Sequence, residues 1–185
     1  PFNLGPWGPL FAAIFVTFVY QGGSGVKDLL KRGLMTRLGK WWWVALLTLP
    51  VLIGGSLALS VLLGNPAPEF EALAQPIALP IALVSIFFFY GPLQEEFGWR
   101  GYAFENLRNK YDALTASIIA GLMWGLSHLP LFFVPRAEDY YNRPLWGLLL
   151  TTTLVGIILA WFYANTNGSI FAAMLGHTMF NWSNW

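Results

Sequence analysis

The sequence predicts an all-α fold: a polytopic bundle of about six membrane-spanning helices with one amphipathic helix at the membrane surface. Three observations carry this expectation. The chain is 56% hydrophobic and only 10% charged, against about 25% charged residues in an ordinary soluble domain. With 185 residues it cannot hide that much apolar surface in one core, so many apolar side chains must face lipid. The apolar runs are also long and do not alternate, which favours helices over strands, and the charges are gathered between them.

The elements follow from that charge pattern. Pro1 to Val26 carries no charge, and its apolar run gives a first span at about 5–21. Residues 26–40 read as the amphipathic interfacial helix. Val26, Leu29, Leu30, Leu34 and Leu38 recur at helical spacing, and Lys27, Lys31, Arg32 and Arg37 can snorkel to headgroups. Trp41 to Pro68 is uncharged and supplies a second span at 42–64, opened by Trp41 to Trp43 in the manner of an interfacial belt. After Glu69 and Glu71, a third span covers 76–98 and a fourth 113–132. Arg136, Glu138, Asp139 and Arg143 form a polar loop flanked by the interfacial aromatics Tyr140 and Tyr141. The uncharged stretch from Pro144 to Trp185 is too long for one crossing. The turn signal Asn165-Thr166-Asn167-Gly168 divides it into spans at 145–164 and 168–185.

The loop at 27–40 holds five Lys or Arg, and the one at 99–112 holds Arg100, Arg108 and Lys110. Both are therefore expected in the cytoplasm, with the acidic loop at 65–75 outside. Residues 1–185 read as one domain without internal repeats. The chain starts at Pro1 rather than Met and ends inside an apolar stretch, so a fragment of a longer protein is expected. A net charge of +1 and the lack of a basic stripe argue against a nucleic-acid partner. The absence of cysteine excludes disulfides, Cys-rich zinc sites and thiol nucleophiles.

Chemistry is concentrated in a few polar residues set in apolar surroundings. Glu95 and Glu96 close the third span, where an ionisable group costs roughly 2.5–3.5 kcal/mol on insertion scales and so suggests function. Arg100 follows Glu96 by four residues, on the same helix face and in the favourable order for a pair. Glu95 points about 100° away and is left for chemistry. His128 stands near the end of the fourth span. Positions 95 and 128 are equidistant from the charged turn at Tyr111 and Asp112, so an antiparallel hairpin would bring them to one depth. His177 and Asn181 are four apart and share a face of the last helix. Taken singly, each has a structural explanation: a span ending in headgroups, or interhelical hydrogen bonding. Taken together, one Glu, two His and one Asn in so apolar a chain point to a site.

Such a set suits hydrolysis. A carboxylate and an imidazole can hold and deprotonate water, while a second His and an Asn can hydrogen-bond the oxyanion formed when that water attacks a carbonyl. Alternatively, Glu95, His128 and His177 can hold Zn²⁺ through one oxygen and two nitrogens, with a position left for water. The residues leave both chemistries open, although the soluble zinc-protease pattern HExxH is absent.

Gln94 to Gly101, reading QEEFGWRG, resembles the EExxxR motif of the CPBP intramembrane proteases. That family includes CAAX prenyl endopeptidases and Abi-type bacteriocin-processing or self-immunity proteins. Trp124-Gly125-Leu126-Ser127-His128 resembles its FxxxH motif, with Trp in place of Phe, and His177-Thr178-Met179-Phe180-Asn181 resembles its HxxxN motif. The three occur in order, in or beside membrane helices, and the likeness covers nearly the whole chain. It implies a membrane-embedded endopeptidase acting on a membrane-associated protein or peptide. Glu95 would activate water, His128 would assist, and His177 and Asn181 would hold the oxyanion. Glu96, Arg100 and Trp124 would support them, with zinc-dependent and metal-free glutamate mechanisms both open. The readings that compete with it are a non-catalytic immunity or scaffolding protein of the same family and a small proton or metal transporter.

Overall fold

A computed structural model describes residues 5–67, 75–137 and 139–184. The acidic residues Glu69, Glu71 and Glu138 lie outside the described residues, as does Trp185. Every regular element among the described residues is helical. A 3-10 turn at Gly5–Trp7 leads into α1 (Gly8–Gly33), followed by α2 (Trp41–Leu62), α3 (Ala78–Phe89) and α4 (Pro92–Gly98). The chain then continues through a π-helix at Trp99–Phe104 into the short α5 (Glu105–Leu107). After the turn come α6 (Ala113–Ser127), a 3-10 segment at Leu129–Phe133, α7 (Leu145–Asn165) and α8 (Ile170–Ser183).

Among the described residues, five helical stretches are long and apolar enough to cross a membrane: Gly8–Gly33, Trp41–Leu62, Ala78–Leu107, Ala113–Phe133 and Leu145–Asn165. They coincide with the first five expected spans. The sixth expected span falls on α8, described over Ile170–Ser183. It is the central helix. Residues Ala172 to Thr178 are all buried, and α8 touches α1, α2, α3, α4 and α7. Facing outward instead are large apolar side chains such as Phe11, Phe15 and Phe18 on α1, Val51 and Leu62 on α2, and Trp146 and Leu154 on α7. The polar residues Gln94, Glu95, Glu96, Arg100 and His177 are buried among apolar side chains such as Phe104, Phe162 and Tyr163, as lipid solvent favours.

The structure redraws the expected interfacial helix. Residues 26–33 continue α1 beyond a kink at Gly22, whose φ of 66° favours glycine. The helix ends at Gly33, so residues 35–38 are non-helical. The reason is packing: the Gly33 backbone lies against the Phe97 ring, and Leu29 and Leu38 are buried while Leu30 and Leu34 stay exposed. Arg32 does not snorkel outward. Its guanidinium donates to the Gly101 carbonyl (2.9 Å) and to the Tyr163 hydroxyl. The two basic segments at 27–40 and 99–112 therefore meet at one end of the bundle. Nor do the tryptophans at 41–43 form a simple belt. Trp41 packs edge-on against Trp161 and Trp42 against Phe171, while Trp43 is exposed.

Caps explain where the inner helices start. The Asp112 carboxylate accepts from the backbone N–H groups of Leu114 and Thr115, each at 3.0 Å, at the head of α6. The Ser169 hydroxyl accepts from Ala172 N–H (3.1 Å) at the head of α8 and donates to the Met35 carbonyl (2.8 Å), which ties α8 to the segment after α1. The Asn165 to Gly168 turn forms as its residues suggest, with Asn167 and Gly168 both at positive φ.

Helices α6 and α7 approach at backbone distance. A Cβ on Gly121 would fall 2.7 Å from the Thr153 Cα, and one on Gly125 would fall 2.5 Å from the Thr152 hydroxyl oxygen. The spacing Gly121-x-x-x-Gly125 is the small-residue pattern that lets membrane helices touch. Gly121→Ala should therefore strain this contact by about 1–3 kcal/mol and lower the unfolding temperature in detergent. Gly55→Ala on α2, which meets nothing within 4 Å, should leave it unchanged.

Candidate active site

The site begins with a break in the backbone. The chain leaves α3 at Phe89 and re-enters helix at Pro92, with Gly91 at φ 110° in between. Only glycine adopts that conformation without strain, and Pro92 suits the first helical position because no N–H is needed there. The Gln94 side chain staples the break: its Oε1 accepts from the Gly91 N–H (3.0 Å), and its Nε2 donates to the Phe88 carbonyl (2.7 Å). Glu95 and Glu96 are thereby drawn into the bundle instead of ending a span in headgroups. Glu95 is 8% exposed and Glu96 fully buried.

Glu96 and Arg100 pair as their spacing predicts, with Arg100 Nη1 donating to Glu96 Oε1 at 2.8 Å and Arg100 2% exposed. The same oxygen is 2.8 Å from His177 Nδ1. An ionised carboxylate only accepts, so that nitrogen carries the proton and Nε2 is the ring atom left for other partners. The sequence pairs His177 with Asn181 and does not foresee this bond to Glu96. Asn181 in turn donates from Nδ2 to the Tyr90 carbonyl (3.0 Å), one of the groups freed by the helix break.

Glu95 is held separately. Its Oε2 accepts from the Trp124 indole N–H at 2.7 Å, and its Oε1 lies beside Gly91, where a Cβ would come within 3.1 Å. Trp124 touches most of the site. The Arg100 guanidinium lies 4.9 Å over its ring, the His177 ring meets it edge-on at 5.0 Å, and its backbone carbonyl is 2.9 Å from His128 Nδ1. That carbonyl can only accept, so His128 is protonated on Nδ1 and presents the lone pair of Nε2. Phenylalanine at this position would keep the aromatic wall but lose the bond to Glu95.

Glu95, His128, His177 and Asn181 all line one cavity of about 420 Å³. Glu95 and His128 line the same cavity, although the direct neighbour of Glu95 is Trp124. Among the described residues, no three His, Cys, Asp or Glu side chains are arranged to hold a metal ion. Glu95, His128 and His177 do not converge as a three-ligand set. Two contributors escaped the sequence reading. Gln94 had a signal, since it stands at the third position of a helix opened by Gly-Pro, where a Gln caps the backbone. Tyr140, read from the sequence only as an interfacial aromatic, also lines the cavity and had no such signal, because a loop brings it there.

Residues 76–183 match the family described as type II CAAX prenyl endopeptidase Rce1-like. The chain is also 32% identical, over 151 residues, to a Methanococcus maripaludis protein named CAAX prenyl protease 2. The alignment covers 75% of this chain and 53% of that protein. The chain thus spans about half the length of this curated relative.

Removing one partner of a buried ion pair leaves the other charge uncompensated, at a cost of about 3–5 kcal/mol. Arg100→Ala should accordingly destabilise the bundle by that order, read as a large fall in unfolding temperature in detergent. Arg108→Ala, which removes a partly exposed pair with Glu105 and a cation–π contact with Phe104, should shift it far less.

Proposed function

This chain belongs to the type II CAAX prenyl endopeptidase Rce1-like family, and on that premise we propose that it is an intramembrane endopeptidase that hydrolyses peptide bonds by water activated on Glu95. The observation that carries the proposal is the buried Glu95 carboxylate, fixed by the Trp124 indole (2.7 Å) in the cavity that His128, His177 and Asn181 also line. Glu95 takes a proton from the attacking water as the new C–O bond forms at the substrate carbonyl. His128, through its free Nε2, helps hold and orient that water. The oxyanion that develops accepts hydrogen bonds from Asn181 Nδ2 and from His177 Nε2. Nε2 donates only when both ring nitrogens carry protons, and the Glu96 carboxylate on Nδ1 is placed to accompany that form. Collapse of the intermediate breaks the C–N bond, and the proton held by Glu95 passes to the leaving amine. In this reading Glu96, Arg100 and Trp124 hold the reacting groups in register and touch no substrate.

The substrate is proposed to be a membrane-associated protein or peptide, with a prenylated chain ending in CAAX as the first candidate from the name of the relative. Cleavage of such a peptide by purified protein in detergent tests it. Glu95→Gln should abolish turnover, by at least about 100-fold for loss of a general base, with the unfolding temperature kept. Undiminished turnover would remove Glu95 as the base. An unprenylated counterpart, cleaved equally well, would show that the lipid is not recognised.

Two further outcomes are expected. Elemental analysis after chelator-free purification should find no stoichiometric zinc in active protein. One zinc per chain, lost in His177→Ala, would replace this mechanism with a metal-dependent one. Loops 27–40 and 99–112 are proposed to face the cytoplasm. Because the sequence has no cysteine, a single Lys110→Cys variant should resist membrane-impermeant thiol reagents in intact cells and react in inverted vesicles.

A further inference from the structure

We propose that Tyr140, from the loop between α6 and α7, is a positioning residue that clamps the His128 ring in its working orientation. The inference rests on the endopeptidase reading for its consequence, but its geometry stands alone. His128 follows the last turn of α6 and is only half-buried, so its own helix does not immobilise it. The polar contacts to the ring meet at one atom: Nδ1 is 2.9 Å from the Trp124 carbonyl and 3.4 Å from the Ser127 hydroxyl. A ring pinned at one atom can still tilt about that hydrogen bond.

Tyr140 removes this freedom. Its ring stacks on His128 with centroids 5.7 Å apart and planes at 24°. The edge of Phe132 meets Tyr140 at 5.8 Å and 67°, supporting it in turn. Trp124 flanks His128 at 6.4 Å and 67°, so the imidazole has aromatic neighbours in Trp124 and Tyr140. The loop is built to hold this pose. The Tyr140 N–H donates to the Ala137 carbonyl (2.8 Å), the Tyr140 carbonyl accepts from the Arg143 N–H (3.0 Å), and Asn142 turns the chain at φ 58°. Tyr140 also lines the cavity that holds Glu95. Burial, followed by the nearby Glu95 and Asp139 carboxylates, raises the phenol above its ordinary range, so it stays neutral and adds no competing charge beside the base. A stacked aromatic pair contributes orientation beyond simple burial, and misplacing a reacting group by about 1 Å can cost on the order of 100-fold in rate.

The test has an arm that needs no activity. The chain has two histidines, so its imidazole carbon-bound protons give two sets of NMR signals, assigned by His128→Ala. The His128 set should show the upfield ring-current shift of a stacked aromatic. Tyr140→Ala should move the His128 set clearly downfield, leaving the share due to Trp124, and leave the His177 set in place, while Tyr140→Phe should retain the wild-type shift. In the cleavage assay, Tyr140→Ala should lower kcat by roughly 10–100-fold with KM and unfolding temperature little changed. Tyr140→Phe should restore the rate, and Tyr140→Ala should add little to His128→Ala, as expected of residues acting as one unit. A His128 signal indifferent to Tyr140→Ala would overturn the clamp. So would a full additive loss in the double variant, which would give Tyr140 a role independent of His128. If the wild type cleaves nothing while the NMR shift behaves as stated, the clamp stands and the endopeptidase reading falls.

Discussion

The arrangement of this bundle depends on one buried carboxylate. Glu96 Oε1 accepts from Arg100 and from His177 at the same distance of 2.8 Å, and so joins α4, the π-helix and α8 at a single atom. Burying such a charge is costly, and the gain is small compared with that of well-packed hydrocarbon. Lipid, however, gives apolar helices little reason to prefer one register over another. A charge that must find its partners supplies that preference. Because α8 is central, fixing it against α4 also fixes His177 relative to Glu95, one turn of helix away from being useless to it.

Irregular backbone is the second constraint, and side chains answer it each time. A spanning segment has no water to satisfy a freed carbonyl or N–H. At the break after α3, Gln94 takes the Phe88 carbonyl and the Gly91 N–H, and Asn181 takes the Tyr90 carbonyl. At the π-helix, Arg32 takes the Gly101 carbonyl. The break moves Glu95 inward from a span end and leaves an open side at Gly91, where any Cβ would crowd the Glu95 carboxylate at 3.1 Å and touch His177. The structural device and the proposed chemistry are thus the same few residues, with Asn181 serving the backbone in the free protein and proposed to serve the oxyanion during reaction.

Close packing brings the remaining parts together. Gly121 and Gly125 let α6 meet α7 at backbone distance, and Gly176 receives the Phe162 ring. Trp124 sits on the same α6 face that these small residues bring inward, which is how one indole reaches Glu95, Arg100 and His177 together. The outer faces need no such fit and carry interchangeable Phe, Leu and Val.

Much of this was legible in the residues themselves. Run length and charge placement determine helices and their approximate ends, because lipid admits few other solutions. Spacing determines the Glu96–Arg100 pair and the shared face of His177 and Asn181, because both are consequences of a single helix. The equal distance of positions 95 and 128 from the turn at Tyr111 and Asp112 suggests that Glu95 and His128 can meet, and both line one cavity. What the sequence could not determine are contacts between elements far apart in the chain: His177 on Glu96, Trp124 on Glu95, Arg32 turned inward to Gly101, and Tyr140 on His128. Each depends on how helices rotate and tilt against one another, and hydrophobic periodicity is almost silent about that when every face is apolar. The central position of α8 belongs to the same class. Its composition resembles a crossing helix, and only the packing of its neighbours around it makes it the core.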